Sequence, residues 1–238
     1  MGNVLCNEHQ NGLRAAVHGQ KLLALTFHHN RPDRATRHGH EDRTAFARNG
    51  SSGLPQKSRR RKHRVVVNIQ ADQHSETIRL DDGRTFLLRA MRPEDLAALR
   101  RAFLRLTAEE IEYRFFYRSR ELPASVQAQV RELDPARDAA FVLEDGGEIR
   151  AVADLHAEQP DSRDAEFGLI VGKAISGHGF GWRLMQRLLD EAKRRGLTAL
   201  HGSVRADNSR MLELCHDLGA SITSDPDDPG VRDVRFVP

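Results

Sequence analysis

The sequence predicts an α+β domain in which helices cover both faces of a mixed, mostly antiparallel central sheet. Three observations predict it: strand patterns joined by short glycine turns, an almost continuous apolar stretch at residues 165–171, and a strongly amphipathic helix soon after it. A strand that is apolar throughout is typical of a sheet covered on both faces. We therefore place one domain at residues 76–238, behind an N-terminal extension.

Hairpins open and close this domain. Residues 77–80 and 85–90 flank an Asp-Gly turn, and residues 139–143 and 149–155 flank a Gly-Gly turn. A last hairpin is predicted around residues 227–230, where Asp, Pro and Gly favour a turn. Hairpins join antiparallel strands, so most of the sheet is expected to be antiparallel.

Three helices are predicted between the first two hairpins. Pro93 opens the first, because proline fits the first helical turn and the two acidic residues after it suit the positive end of the helix dipole. Thr107 and Glu110 form a capping box for the second helix. Pro123 begins the third.

After the apolar strand, helices alternate with strands. A helix with Leu184 and Leu188 on its apolar side ends at Gly196, a strand follows at residues 200–204, and another helix follows at residues 211–218. This alternation predicts helices on both faces of the sheet.

The extension, residues 1–75, has no hydrophobic periodicity long enough to bury a face, and we expect it to be disordered. Residues 1–64 hold 13 Lys/Arg against 4 Asp/Glu, which leaves 24 against 30 for the rest of the chain. The basic run at residues 57–64 could bind nucleic acid, but such runs are more often solvated tails.

Composition narrows the class of protein further. No apolar stretch approaches the length of a membrane helix, so no membrane association is expected. The two cysteines, Cys6 and Cys215, lie far apart, which argues against a disulfide framework or a cysteine metal site. A cytoplasmic protein that binds no metal is therefore expected.

The loop after the apolar strand is rich in glycine, with the sequence SGHGFG at residues 176–181. It lacks the spacing of a dinucleotide-binding loop, because Leu184 stands where the third glycine belongs, and it lacks the Gly-Lys-Ser/Thr end of a triphosphate loop. A general anion site remains, in which backbone N–H groups lead into the positive end of a helix. A plain turn that needs glycine only for positive φ is the alternative.

This arrangement resembles the GNAT superfamily of N-acetyltransferases, whose glycine loop has the pattern Gln/Arg-x-x-Gly-x-Gly/Ala. The stretches LRAMRPED at residues 88–95, YRFF at 113–116 and AEF at 165–167 are also similar to bacterial protein lysine acetyltransferases that act on acyl-CoA synthetases. The resemblance spans about residues 76–238. Ser176 departs from the pattern, which has Gln or Arg at that position.

The resemblance implies that acetyl-CoA is the acyl donor. The backbone of the glycine loop would hold its pyrophosphate, the edge of the apolar strand would pair with its pantetheine arm, and Asn208 would hydrogen-bond near its reactive end. The cofactor-binding residues implied are Leu169, Ile170, Val171, Ser176, Gly177, His178, Gly179, Phe180, Gly181 and Asn208.

Transfer to an amine requires deprotonation, since a lysine with a pKa of about 10.4 is almost fully protonated at pH 7. Glu166 is the candidate catalytic base, because the resemblance implies a catalytic glutamate on this strand. A strand-end carboxylate paired with an arginine is the structural alternative, and Asp164 is the substitute base. Cys215 stands where many superfamily members have a tyrosine acid, which leaves Tyr117, water or direct release of the thiolate open.

The resemblance favours a protein lysine as the acceptor, and it implies an acyl-CoA synthetase as a protein that could carry this lysine. A small amine, such as a polyamine, an aminoglycoside or an amino acid, is the alternative within the same chemistry. A catalytically weak acyl-CoA-binding regulatory module and a nucleic-acid binder are the alternatives from other classes, and nucleic-acid binding is the less expected of the two.

Overall fold

The computed structural model describes residues 66–72 and 75–238. Within these residues nine strands form a single sheet in the order β1-β2-β3-β4-β5-β6-β7-β9-β8. The strands are β1 (Val66–Asp72), β2 (Ser75–Arg79), β3 (Thr85–Ala90), β4 (Asp138–Asp145), β5 (Glu148–His156), β6 (Asp164–Val171), β7 (Ala199–Arg205), β8 (Ser221–Ser224) and β9 (Val231–Phe236).

Five α-helices accompany these strands in the described part of the chain. They are α1 (Leu96–Phe103), α2 (Ala108–Phe115), α3 (Ala124–Arg131), α4 (Phe180–Arg194) and α5 (Ser209–Asp217). Neighbouring strands run antiparallel except β6 and β7, which are parallel. The predicted mixed, mostly antiparallel sheet with helices on both faces is confirmed.

The predicted local signals form as expected. Thr107 Oγ1 accepts a hydrogen bond from the Glu110 amide at 3.2 Å, and Glu110 Oε2 accepts one from the Thr107 amide at 2.7 Å. This capping box satisfies N–H groups that have no partner inside the first turn of α2. Gly83 has a φ of 87° in the turn between β2 and β3, a conformation that favours glycine.

Strand β1 was not predicted, and it begins the sheet at Val66 rather than near residue 76. It pairs with β2 in an antiparallel ladder that joins Val67 to Ile78. The β-branched residues in it favour a strand, but seven residues are too few to show a hydrophobic period. The remainder of the predicted extension, with the basic run at residues 57–64 and Cys6, lies outside the described residues.

The sheet separates two apolar cores. On the α4–α5 face the larger core includes Leu184 and Leu188 of α4, both with no exposed surface. On the α1–α3 face a second core joins Val142 of β4 to Phe103 of α1 and Phe115 of α2. Both helical layers therefore bury apolar surface against the same sheet.

The buried polar residues lie on the α1–α3 side. In the described part of the chain these residues are Asp95, Asp138 and His156. Asp138 shares a sheet face with Val142 because side chains two positions apart point the same way. Asp95 directly precedes α1, and its Oδ1 accepts from Arg89 Nη2 of β3 at 2.9 Å.

Candidate active site

Strands β6 and β7 are paired only at residues 164–166. On its other side β6 stays paired with β5 as far as Val171. The edge of β6 at residues 167–171 therefore borders a gap. Leu169 and Val171 pack against the larger core and Ile170 lines the α1–α3 face, so both faces of the strand are covered as predicted. The three residues are only partly buried at this end.

A phenylalanine and a glycine lie where the two strands separate. A Cβ on Gly202 of β7 would approach the Phe167 ring to 3.0 Å, which is closer than ordinary contact. The ring also packs edge-on against Phe236 of β9, with centroids 5.7 Å apart. A larger residue at position 202 would have to displace this ring.

Helix α2 makes contacts on both sides of the gap. Glu110 Oε1 accepts a hydrogen bond from the Lys173 amide, just after β6, at 2.7 Å. Glu112 pairs with Arg205 at the end of β7, with 3.2 Å between Oε1 and Nη1. These contacts hold α2 near both strands that border the gap.

Arg114 of α2 lies directly on strand β6 at Gly168. A Cβ on Gly168 would be 1.7 Å from Arg114 Nη2, so the guanidinium occupies the space of the missing side chain. The same nitrogen donates to Asp154 of β5 at 3.0 Å, and about a tenth of each side chain is exposed. Glycine at 168 is therefore required for this pair to lie flat on the sheet.

An apolar cavity of about 70 Å³ lies beyond the pair, between helices α1–α3 and the sheet. Its polar lining is limited to Arg114, Asp154 and Gln129. In the described residues, Gln129 Oε1 is the one buried side-chain nitrogen or oxygen without a hydrogen-bond partner. Glu166 is not part of the lining, so the candidate base does not sit inside this cavity.

The glycine loop joins β6 to α4 through left-handed backbone conformations that its glycines allow. Gly177 has a φ of 87° and Gly179, which precedes the first residue of α4, has a φ of 79°. Both values lie in the left-handed region that other residues avoid. A Cβ on Gly181 would lie 3.4 Å from Leu214, an ordinary contact, so alanine fits there.

Ser176 uses its polar groups inside the loop. Its amide donates to the Lys173 carbonyl at 3.2 Å and its hydroxyl to the same oxygen at 3.0 Å. The Ser176 amide, which was expected to bind pyrophosphate, is therefore already hydrogen-bonded within a turn of the loop.

The side of the loop next to β3 is fixed by His178 and Phe180. His178 Nδ1 donates to the Ile175 carbonyl at 3.1 Å, so Nε2 is the acceptor that faces Arg84 Nη2 at 3.1 Å. The His178 ring stacks on Phe180, and Phe180 packs against Phe86 with centroids 4.7 Å apart. His178, predicted as a cofactor-binding residue of the loop, thus brings the guanidinium of Arg84 to the glycine loop.

Glu166 stands at the last position where β6 and β7 pair. Its paired neighbours are His156 on β5 and His201 on β7. His156 in turn pairs with Asp138 on β4, with 2.5 Å between Nδ1 and Oδ1. The substitute base, Asp164, lies 3.6 Å from His201, and more than half of its side chain is exposed.

The remaining predicted residues have structural partners. Asn208 caps α5, where its Oδ1 accepts from the Met211 amide at 3.2 Å, so its NH₂ group is the part available to donate. Cys215 is fully buried in the core of the α4–α5 face, and this burial raises its pKa to about 12. Tyr117 packs against Phe115 in the second core, and burial raises the pKa of its phenol. Cys215 is therefore a core residue.

The described residues contain neither a membrane-spanning helix nor a group of side chains suited to a metal ion. No helix among them is long and apolar enough to cross a membrane. No group of three or more His, Cys, Asp or Glu side chains in that part of the chain could hold a metal ion. The histidines of the N-terminal segment lie outside it.

A sheet that opens between two parallel strands, beside a glycine loop at a helix start, is the arrangement that the resemblance to N-acetyltransferases predicts. The sequence profile of the acetyltransferase (GNAT) family matches residues 103–220. The chain is 31% identical over 163 residues to Acetyltransferase PA5475 of Pseudomonas aeruginosa, which covers 67% of this chain and 87% of that protein. The protein belongs to the GNAT family of acetyltransferases, and acetyl-CoA is its co-substrate.

Other relatives share parts of the chain or the fold. L-methionine sulfoximine/L-methionine sulfone acetyltransferase of Salmonella typhimurium is 32% identical over 72 residues, or 30% of this chain and 42% of that enzyme. The GNAT domain of S. lividans PAT superposes with a TM-score of 0.63 at 22% identity, over 71% of this chain and all of that domain. The yncA acetyltransferase of Salmonella typhimurium, solved with acetyl-CoA, gives a TM-score of 0.52 at 18% identity, over 64% and 93% of the two chains.

Sequence reasoning missed three features around the gap: the Asp138–His156 pair, the Arg114–Asp154 pair and the approach of Arg84 to the glycine loop. Each joins residues that lie far apart in the chain, 94 positions apart for Arg84 and His178. A glycine in the middle of the apolar strand, Gly168, was the one local signal, since such a glycine often marks the close approach of another group.

Proposed function

We propose that the protein transfers the acetyl group of acetyl-CoA to the side-chain amine of a protein lysine, with Glu166 as the general base. The observation that carries the proposal is the position of Glu166 at the last paired residue before β6 and β7 separate. A thioester that enters the gap along the β6 edge would have its carbonyl near this carboxylate.

Acetyl-CoA would bind through backbone groups along the gap. The β6 edge at Leu169, Ile170 and Val171 has unpaired backbone positions next to the gap, which suits the amide groups of a pantetheine arm. Asn208 would donate from its NH₂ group at the start of α5. The backbone of residues 177–181 would hold the pyrophosphate.

The pyrophosphate site combines a helix N-terminus with nearby cations. A helix N-terminus carries about half a positive charge, whereas a pyrophosphate carries about two negative charges. Arg84, whose guanidinium also pairs with Asp82 at 2.8 Å, brings a positive charge to within 3.1 Å of His178 Nε2. It would compensate for Ser176, whose short side chain replaces the Gln or Arg of the family pattern.

The chemistry is direct attack. Glu166 accepts a proton from the lysine ammonium, and the nitrogen lone pair then attacks the thioester carbonyl. A backbone N–H of β6 near residues 169–171 would stabilise the oxyanion that forms. The C–S bond breaks and the CoA thiolate leaves, and the second N–H proton that the new amide loses passes through solvent to the thiolate sulfur.

The approach to Glu166 suits a cationic side chain. The loop between β5 and β6 carries Glu158 and Asp161, and Asp164 begins β6; all three are exposed. Negative charges beside the entrance attract an ammonium group and help to hold it next to the base. The apolar cavity of the α1–α3 face is not lined by Glu166, which favours an acceptor that approaches Glu166 from another side.

The test is incubation of the protein with ¹⁴C-acetyl-CoA and a lysate of its host, followed by separation of proteins from small molecules. We expect label on protein lysines, and a fall of roughly 10²- to 10⁴-fold in the rate for Glu166→Gln with acetyl-CoA affinity unchanged. Label confined to small amines would replace the lysine acceptor by an amino acid or polyamine. A Glu166→Gln variant as fast as wild type would exclude Glu166 as the base.

A further inference from the structure

Two histidines flank Glu166, and their surroundings differ. His156 on β5 and His201 on β7 each pair directly with Glu166 in the sheet. About a tenth of the His156 side chain is exposed, against 38% of the His201 side chain. His156 and Glu166 are antiparallel partners on one face, so their Cβ atoms are about 4.5–5.5 Å apart.

His156 is held by a buried carboxylate. Its Nδ1 lies 2.5 Å from Asp138 Oδ1, and only 4% of the Asp138 side chain is exposed. The other oxygen, Asp138 Oδ2, accepts from the Asp134 amide at 2.9 Å. A carboxylate can only accept, so Nδ1 carries the proton and Nε2, at the tip of the ring, carries the lone pair.

Burying Asp138 and His156 together costs hydration free energy. A buried carboxylate and imidazole lose hydration that their mutual hydrogen bond only partly replaces. Arg89–Asp95 and Arg114–Asp154 join helical segments to the sheet, whereas Asp138 and His156, like Arg89 and Glu144, belong to neighbouring strands that the backbone ladder already joins. The pair is therefore not needed to bring two elements together.

We propose that His156 is a positioning residue that takes over, through Nε2, the proton that Glu166 removes from the acceptor amine. The inference rests on the proposed role of Glu166. An N–H bond of the ammonium breaks as an O–H bond forms on Glu166, and that O–H bond then breaks as Nε2–H forms. The imidazolium that results lies against the Asp138 carboxylate, and Glu166 is a carboxylate again before the C–S bond breaks.

The charges around His156 favour this transfer. An imidazolium between two carboxylates, Asp138 and Glu166, is stabilised by both of them. Ionisable groups face His156, or its partner Asp138, from each element packed against them. On the sheet these groups are Asp138 of β4, Glu166 of β6, and the Arg114–Asp154 pair one row along the sheet. Outside it they are Asp134 and Arg137 of the α3–β4 loop and Arg195 after α4.

Asp138→Asn is the sharpest test because it keeps the size of the side chain. An asparagine can donate from its NH₂ group to Nδ1, which moves the ring proton to Nε2 and removes the acceptor that the proposal requires. We expect the single-turnover rate of label transfer from ¹⁴C-acetyl-CoA to lysate protein to fall about 10²-fold, with acetyl-CoA affinity unchanged. The pH profile of the rate should change, because the variant alters the group that takes the proton from Glu166. A merely structural role would not move that profile.

His156→Gln and His201→Gln are the matched pair of variants. We expect His156→Gln to resemble Asp138→Asn and His201→Gln to stay within about 2-fold of wild type, with melting temperature and acetyl-CoA affinity as checks of folding. Ring ¹⁵N shifts should show the His156 proton on Nδ1 in wild type and on Nε2 in Asp138→Asn.

The outcomes separate this inference from the proposed function. If Glu166→Gln is slow while Asp138→Asn and His156→Gln match wild type, Glu166 stands as the base and the role of His156 is overturned. A loss confined to His201→Gln, or a proton on Nε2 in wild type, overturns it as well. If Glu166→Gln is also as fast as wild type, the proposed mechanism and the role of His156 both fail.

Discussion

On the α4–α5 face of the sheet the buried side chains are apolar, whereas on the α1–α3 face the apolar core is interrupted by charged pairs. These pairs are Arg89–Asp95, Arg114–Asp154 and Asp138–His156. Arg114–Asp154 and Asp138–His156 lie in successive rows of the sheet next to Glu166. In the proposed mechanism, one face supports the acetyl-CoA site and the other carries the charges for proton transfer.

The ion pair next to the gap should give the largest effect on stability. Asp154→Ala leaves the Arg114 guanidinium buried without its partner, and we expect a loss of about 3–5 kcal/mol in the free energy of unfolding by urea titration. The double variant Arg114→Met/Asp154→Leu should recover most of this loss, because the apolar pair leaves no charge unpaired. A double variant less stable than the single one would show that the pair stabilises the α1–α3 face.

The α4–α5 face should respond to lost volume instead. Leu188→Ala removes a side chain with no exposed surface, and we expect a cost of about 2–5 kcal/mol in the same titration. The exposed residue Leu104 offers a control, since Leu104→Ala should change stability by less than about 0.5 kcal/mol. Equal losses in the two variants would contradict the assignment of the core.

The glycine loop should depend on backbone conformation rather than on space. Gly179→Ala forces a Cβ into the left-handed region and should cost about 1–2 kcal/mol, with weaker acetyl-CoA binding by calorimetry. Gly181→Ala is the matched control, because a Cβ there meets Leu214 at an ordinary 3.4 Å. If the two variants bind acetyl-CoA equally well, the geometry of Gly179 does not matter for the site.

Ion pairs at the rim of the α4–α5 face should matter least. Hydrogen bonds from Arg194 and then Arg195 lower the pKa of Glu191 to about 2. Because the folded-state pKa lies below its unfolded value of about 4.5, this stabilisation is present above pH 4.5 and is lost as the pH falls through about 2. We expect Glu191→Gln to cost about 1–2 kcal/mol at pH 7, because one of the two partners, Arg194, is largely exposed and glutamine can still accept hydrogen bonds, and the difference from wild type to vanish near pH 2. A difference that persists there would assign the effect to packing.

Local signals were sufficient for most elements of the fold. The capping box at Thr107 and Glu110, the Asp-Gly turn at Gly83 and the amphipathic pattern of α4 each depend on neighbours within four residues, and each formed as predicted. Strand β1 was missed because it is defined by its pairing with β2 rather than by its own pattern.

The sequence alone determined the class of the domain, its order of strands and helices, and the resemblance that points to Glu166, the glycine loop and Asn208. Only the tertiary structure showed that β6 and β7 separate after Glu166, and that His156 and Asp138 stand in one row with it. The physical reason is range: turns and caps are local interactions, whereas a gap in a sheet and a cross-strand row of charges depend on register between strands that many residues separate.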